Sequence, residues 1–295
     1  MWMKLAAAAV LCTVAVSGWA SGPEGSSDTS FPVFRFTTAE VRVTFTAIRA
    51  NAQPVTDLSF SDFAVLRDGK PVGGIVSFAT YRQAPLSALV LTDVSDSMLP
   101  GLPLERTATE WLKSHSDGTR DWLSFLEFGA EVAPGKAAFF HHMTSMYDVL
   151  LEVMPRVLGH GEGRRALILL TDGYDNFSYH DLSDVIATAQ RNDIAIYAIT
   201  AHPSRKQYFC PEVLRQLSEQ TGGRYFEVRK ANELLRALWK IDDELRNGYE
   251  LVFRPGVADR GFHRLSIRSA RPGMHFYYRS AYFQPATTAE VAVGK

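Results

Sequence analysis

Asp93-Val94-Ser95-Asp96-Ser97 and Leu170-Thr171-Asp172-Gly173 hold the residue types that could do chemistry in this chain. Each follows directly on an apolar run, Ala88-Leu89-Val90-Leu91 in the first case and Ala166-Leu167-Ile168-Leu169-Leu170 in the second. Such runs read as fully buried parallel strands. Both motifs therefore fall at the carboxyl end of a central strand, where open α/β sheets bind their ligands. Carboxylates and hydroxyls offer only oxygen donors, which suit a hard divalent cation, Mg²⁺ first, with Mn²⁺ or Ca²⁺ as alternatives. Taken singly, the same residues have plainer uses. Ser95 and Ser97 suit helix N-caps, and Asp172-Gly173 suits an ordinary turn.

The elements that must position these residues alternate along the chain. Strand 87–93 leads to a helix at 102–115 with Leu104, Ala108, Trp111 and Leu112 on one face. Strand 121–128 and a hairpin arm at 131–139 come next, then a helix at 145–158 stopped by Gly159, and strand 165–171. Helix 181–191, strand 194–200, helix 211–221, strand 224–228 and helix 231–246 complete the series. Alternation of this kind predicts a doubly wound, mostly parallel sheet with helices on both faces. The hairpin arm is its one antiparallel edge strand.

The flanks read differently. Val41-Arg42-Val43-Thr44-Phe45-Thr46 has the two-residue period of a half-buried strand. Phe63 to Leu66, Arg67-Asp68-Gly69-Lys70 and Val72 to Phe78 read as a hairpin with an Asp-Gly turn. At the other end, 249–254, 262–268 and 276–282 are strand-like, punctuated by Pro255-Gly256 and Arg271-Pro272-Gly273. His263, Leu265 and Ile267 alternate there with Arg264, Ser266 and Arg268. About fifty N-terminal residues are thin for a core of their own. The two flanks are therefore expected to pack together as a small antiparallel β-sandwich into which the α/β domain is inserted. The expected organisation is a leader at 1–20, a flexible link at 21–30, an N-terminal β module at 31–83, the α/β domain at 84–247, C-terminal strands at 248–286 and a tail at 287–295.

Composition limits the function classes. The 295 residues carry 31 Lys and Arg against 32 Asp and Glu, with 46% hydrophobic residues. That describes a folded globular protein without the basic stripe of a nucleic-acid binder. Met1 to Lys4, the apolar stretch Leu5 to Val16 and the small residues of Gly18-Trp19-Ala20 have the three-part layout of a secretory signal. The expectation is a secreted or periplasmic protein with no membrane span in its mature chain. Cys210 is then its sole cysteine, at the start of a helix that would lower its pKa, and it is expected to be half-buried and structural.

Asp93-x-Ser95-x-Ser97 resembles the opening of the metal-ion-dependent adhesion site of von Willebrand factor type A domains. Thr144, in Met143-Thr144-Ser145-Met146-Tyr147-Asp148, stands where that site takes a Thr from a second loop, although it would also cap the following helix. Asp172 matches the Asp of the third loop. The chain is similar from about residue 31 to 286 to bacterial secreted "VWFA-related" proteins, through the Asp68-Gly69-Lys70 hairpin, the Gly222-Gly223-Arg224 turn and the Arg271-Pro272-Gly273 close. The resemblance implies Ser95, Ser97 and Thr144 as direct ligands, with Asp93 and Asp172 acting through bound water. Neutral ligands leave the ion's charge poorly compensated. One coordination position then stays open to an Asp or Glu carboxylate of a partner protein.

Asp96 departs from the family, which has a small residue there. With His142, Tyr174 and Asp175 it is expected on the partner-binding rim; His141 and Asn176 adjoin them, and Asn176-Phe177-Ser178 is a glycosylation sequon. A structural scaffold that binds no metal is the alternative function. A Mg²⁺-dependent hydrolase is a second, with Asp93 as the acceptor of a phosphoryl group. Haloacid-dehalogenase-type enzymes place another Asp two residues on, however, and that position is Ser95. No G-x-S-x-G, H-E-x-x-H or G-x-x-x-x-G-K-[ST] motif occurs, so the chain is read as a non-enzyme.

Overall fold

The computed structural model describes residues 33–36, 40–51, 53–82, 84–98, 101–129, 132–133, 143–160, 163–201, 209–255, 260–285 and 289–292. The expected leader at 1–20 and link at 21–30, His141 and His142, and most of the hairpin arm at 131–139 lie outside the described residues. The chain begins with strands β1 (Val33–Phe36), β2 (Val41–Arg49), β3 (Phe63–Arg67), β4 (Lys70–Pro71) and β5 (Ile75–Tyr81). The alternating segment follows with β6 (Leu86–Asp93), α1 (Leu102–His115), β7 (Trp122–Phe128), β8 (Val132–Ala133), α2 (Met146–Leu158) and β9 (Arg164–Leu170). It continues through α3 (Leu182–Asn192), β10 (Ile194–Ala201), α4 (Pro211–Thr221), β11 (Tyr225–Val228) and α5 (Ala231–Arg246). Strands β12 (Gly248–Phe253), β13 (Gly261–Ser269), β14 (Met274–Tyr278), β15 (Ala281–Gln284) and β16 (Ala289–Ala292) end it. β1 and β16 pair only with each other.

The central sheet has the order β11-β10-β9-β6-β7-β8. Its first five strands are parallel and β8 is an antiparallel edge, as the sequence predicts. Period-two alternation splits each strand between two cores. Leu89 and Leu91 face one core with Leu167 and Leu169, covered by α2, α3 and α4. Ala88 and Val90 face the other with Ile168 and Tyr197, covered by α1 and α5. Strand order reverses between β6 and β9, because the chain leaves β6 through α1 toward β7 and returns through α2 to β9 on its other side. That switch opens a crevice at the carboxyl ends of β6 and β9, where Asp93 and Asp172 lie.

The flanking strands form two four-stranded antiparallel sheets, β14-β2-β12-β5 and β15-β13-β3-β4. Each draws strands from both ends of the chain. Their inner faces share one core, in which Val41, Val43 and Phe45 of β2 and Leu251 of β12 meet Phe63 and Val65 of β3 and Leu265 of β13. The Asp68-Gly69 turn forms, with both residues at positive φ, but the second arm of its hairpin is only the two residues of β4. The run expected to continue that arm crosses instead to the other sheet as β5 and pairs with β12. Gly74 makes the crossing possible: its φ is +63°, and a Cβ there would stand 2.9 Å from the Arg254 carbonyl oxygen.

Asp121 closes both connections between the sandwich and the α/β segment. It accepts from the Leu86 N–H at 3.1 Å, at the entrance to β6, and from the Arg246 guanidinium at 2.7 Å, at the exit of α5. The Arg246 carbonyl in turn accepts from the Ala84 N–H at 3.0 Å. Among the described residues no helix is long and apolar enough to cross a membrane.

Candidate metal centre

Asp93 ends β6 with none of its surface exposed. Its Oδ1 accepts from the Ser95 N–H at 3.0 Å, an Asx turn that folds the chain back toward the strand tip. Its Oδ2 accepts from the Thr171 hydroxyl at 2.6 Å, so the end of β9 grips the end of β6. Ser95 and Ser97 face each other with their hydroxyl oxygens 3.2 Å apart. Ser97 also donates to the Asp172 carboxylate. These five residues form one continuous hydrogen-bonded group across two loops.

Thr144 joins the same edge from a third loop. Its backbone N–H donates to Asn176 Oδ1 at 2.8 Å, and its carbonyl accepts from the N–H groups of Asn176 and Phe177 at 3.0 and 3.2 Å. The Ser145 N–H donates to the Gly129 carbonyl at 2.9 Å, just past the end of β7. Thr144 is thereby held between β7 and the loop that carries Asp172, and it is buried.

Asp172 accepts from the Tyr174 N–H at 3.0 Å, and its carbonyl accepts from the Cys210 N–H at 2.9 Å. Gly173 beside it has φ +83°, and a Cβ there would lie 2.7 Å from Leu214 Cγ. Only glycine fits between this loop and α4. Asp175 accepts from the Tyr147 N–H at 3.1 Å and from the Ser178 hydroxyl at 2.6 Å. Its carboxylate thus caps the first turn of α2 and is committed within the loop. Asp96 and Tyr174 are half-buried, Asp96 in a single 3-10 turn at 96–98.

The electrostatics of this edge are one-sided. Burial pushes the Asp93 carboxyl up to about 6, against the hydrogen bonds from Thr171 and Ser95 that favour its anion; the charge of Asp172 adds a smaller push. Burial likewise raises Asp172, opposed by Ser97 and the Tyr174 N–H. Glu105, in the first turn of α1, is raised well above the ordinary range by burial and then by the charges of Asp93, Asp172 and Glu127. Among the described residues no Lys, Arg or His side chain pairs with Asp93, Asp172 or Glu105. Cys210 also moves opposite to the direction its helix-start position implies. Burial raises its thiol pKa and the nearby Asp172 adds to that.

The von Willebrand factor type A domain model matches residues 138–239. Over that segment the chain is similar to von Willebrand factor type A domains. The matched segment contains Thr144 and Asp172, while Asp93, Ser95 and Ser97 precede it. Solved structures to which the chain is similar include proximal thread matrix protein 1 from mussel byssus. It is 12% identical, with a TM-score of 0.48 over 67% of this chain and 50% of that one. The chain therefore spans about half the length of the mussel protein. Manganese-loaded TRAP protein of Plasmodium vivax is 18% identical, with a TM-score of 0.43 over 72% of this chain and 100% of that one. A PilB minor pilin variant from Streptococcus sanguinis is 12% identical, with a TM-score of 0.40 over 55% and 61%. No curated protein matches.

Three residues shape this edge in ways the sequence alone does not indicate. Thr171 reads only as part of the strand end, yet its hydroxyl donates to Asp93 and accepts from the Gly173 N–H at 3.2 Å. Asn176 reads as a sequon, yet its amide oxygen clamps Thr144. Glu105 lies three and seven residues before Ala108 and Leu112, both buried on the inner face of α1. An acid on that apolar stripe was the available signal.

Proposed function

We propose that the type A domain binds a divalent cation through Asp93, Ser95, Ser97, Thr144 and Asp172, and captures a partner protein through it. The observation that carries this reading is a pair of buried carboxylates, Asp93 and Asp172, linked to serine hydroxyls and lacking any basic partner among the described residues. Buried anions of that kind are costly unless a cation compensates them. The donors are all oxygen, the set preferred by Mg²⁺, Mn²⁺ or Ca²⁺. Among the described residues no three Asp, Glu, His or Cys side chains converge as a chelating set by themselves, so the hydroxyls are needed to complete the coordination.

When bound, the cation supplies a Lewis-acidic position for an anionic oxygen. Ser95, Ser97 and Thr144 would hold it through their hydroxyls, and Asp93 and Asp172 would balance its charge. A partner's Asp or Glu carboxylate would complete the coordination, with Asp96 and Tyr174 beside it. The role is adhesive and non-catalytic. The three-part N-terminus supports export, with action in the periplasm or outside the cell.

The test is retention of acidic peptides by the immobilised chain in Mg²⁺ and in EDTA, for wild type and Ser97→Ala. The proposal expects retention by wild type in Mg²⁺ alone. Equal retention by both proteins in both buffers contradicts it.

A further inference from the structure

Glu105 is the most anomalous charged residue among the described ones. It is 1% exposed, and both of its carboxylate oxygens are buried without a hydrogen-bond partner. Native structures seldom leave an acid in that condition, because neither water nor protein dipoles then stabilise its anion. Its place in the fold is specific. The chain passes from Ser95 through the 3-10 turn to Gly101, with Met98 N–H donating to the Ser95 carbonyl at 2.9 Å and Gly101 N–H to the Met98 carbonyl at 2.8 Å. A Cβ on Gly101 would lie 2.5 Å from the Ala201 carbonyl, at the end of β10, and 3.4 Å from Glu105 Oε1. The Glu105 carboxylate is therefore tucked under Gly101, at the same carboxyl edge of the sheet as Asp93 and Asp172. The acids that face it are Asp93, Asp172 and Glu127, and no basic side chain pairs with it among the described residues.

We propose that Glu105 is a third acid of the cation site, one that holds charge behind the ion and sets how tightly the ion is kept before a partner arrives. The proposal rests on the metal-binding reading of Asp93, Ser95, Ser97, Thr144 and Asp172. A purely structural role would place an apolar residue at this position, where Ala108, Leu112 and Ala201 surround the same core. Two aspartates and a glutamate together overcompensate a divalent ion. The site then binds its cation firmly without a partner and grips a partner's carboxylate less strongly than a site with two acids does. Glu105 is thus a positioning residue for charge.

The experiment is calorimetric titration of the full chain with Mn²⁺, paired with thermal unfolding with and without Mn²⁺, for wild type, Glu105→Gln and Glu105→Met. Glutamine keeps the shape of the side chain and methionine replaces it with an apolar one, so one folded variant suffices. The expected result is at least a tenfold rise in the Mn²⁺ dissociation constant and a smaller Mn²⁺-induced rise in Tm, with the metal-free Tm held or increased. If the variants bind Mn²⁺ as tightly as wild type, the role of Glu105 is overturned and the five-residue site stands. If wild type binds no Mn²⁺, the five-residue site is overturned, and Glu105 with it.

Discussion

The Thr171 hydroxyl donates a 2.6 Å hydrogen bond to Asp93 Oδ2, so the two strands that carry the site's carboxylates are joined at their tips by the site itself. Thr171→Val keeps the shape and leaves both Asp93 and the Gly173 N–H short of a partner. The expected cost is about 1–3 kcal/mol, the usual penalty for an unsatisfied buried polar group. Denaturant unfolding measures it, and cation affinity should fall in the same variant because Asp93 loses its orienting donor.

Asp93 also gives the metal-free protein a pH dependence of definite sign. Its folded pKa of about 6 stands above the unfolded 3.8. The folded state then holds a proton that the unfolded state has released. The stabilisation is complete below the unfolded value and is lost as pH rises through about 6. The shift corresponds to on the order of 3 kcal/mol. In EDTA the unfolding midpoint should fall between pH 4 and 7 in wild type, with a flatter slope in Asp93→Asn. Mg²⁺ should reverse the wild-type trend, since the cation favours the anion.

Asp121→Ala should destabilise the protein far from the site. The Asp121 side chain has no exposed surface and Arg246 keeps only 12%, so the substitution takes from a nearly buried guanidinium one of its two carboxylate partners, Asp242 being the other. The Leu86 N–H loses its acceptor as well. A loss of about 1–3 kcal/mol in chemical denaturation is expected. Cation affinity of the folded variant should match wild type, because Asp121 lies at the opposite end of the sheet.

Asn176→Ala tests whether loop clamping matters apart from ligation. It removes the acceptor for the Thr144 N–H, held at 2.8 Å, while leaving every proposed ligand in place. A stability loss of about 1 kcal/mol is expected with a several-fold weaker cation affinity. An unchanged affinity in calorimetry would show that Thr144 is positioned without Asn176.

The fold was legible where the hydrophobic period was strict. Ala88 to Leu91 and Ala166 to Leu170 are buried on both faces, as their unbroken apolar runs require. The alternation of His263, Leu265 and Ile267 inward with Arg264 and Arg268 outward also matches its pattern. Reading failed where a turn decided the pairing: Val72 to Phe78 looks like a hairpin arm, and the Gly73-Gly74 crossing sends it to the other sheet. In the site, Asp93 and Ser95 were visible as a local motif, because an Asx turn needs only adjacent residues. Thr171, Asn176 and Glu105 act across loops or from inside a helix. Their partners lie tens of residues away, and a single sequence shows no spacing for such contacts.

The central claim is most directly met by calorimetric titration of the purified chain with Mg²⁺, Mn²⁺ and Ca²⁺, repeated on Ser97→Ala. Saturable uptake of one ion per wild-type chain, lost in the variant while its fold persists by circular dichroism, is the predicted result. No uptake of any of the three ions by well-folded wild type at millimolar concentrations would contradict it.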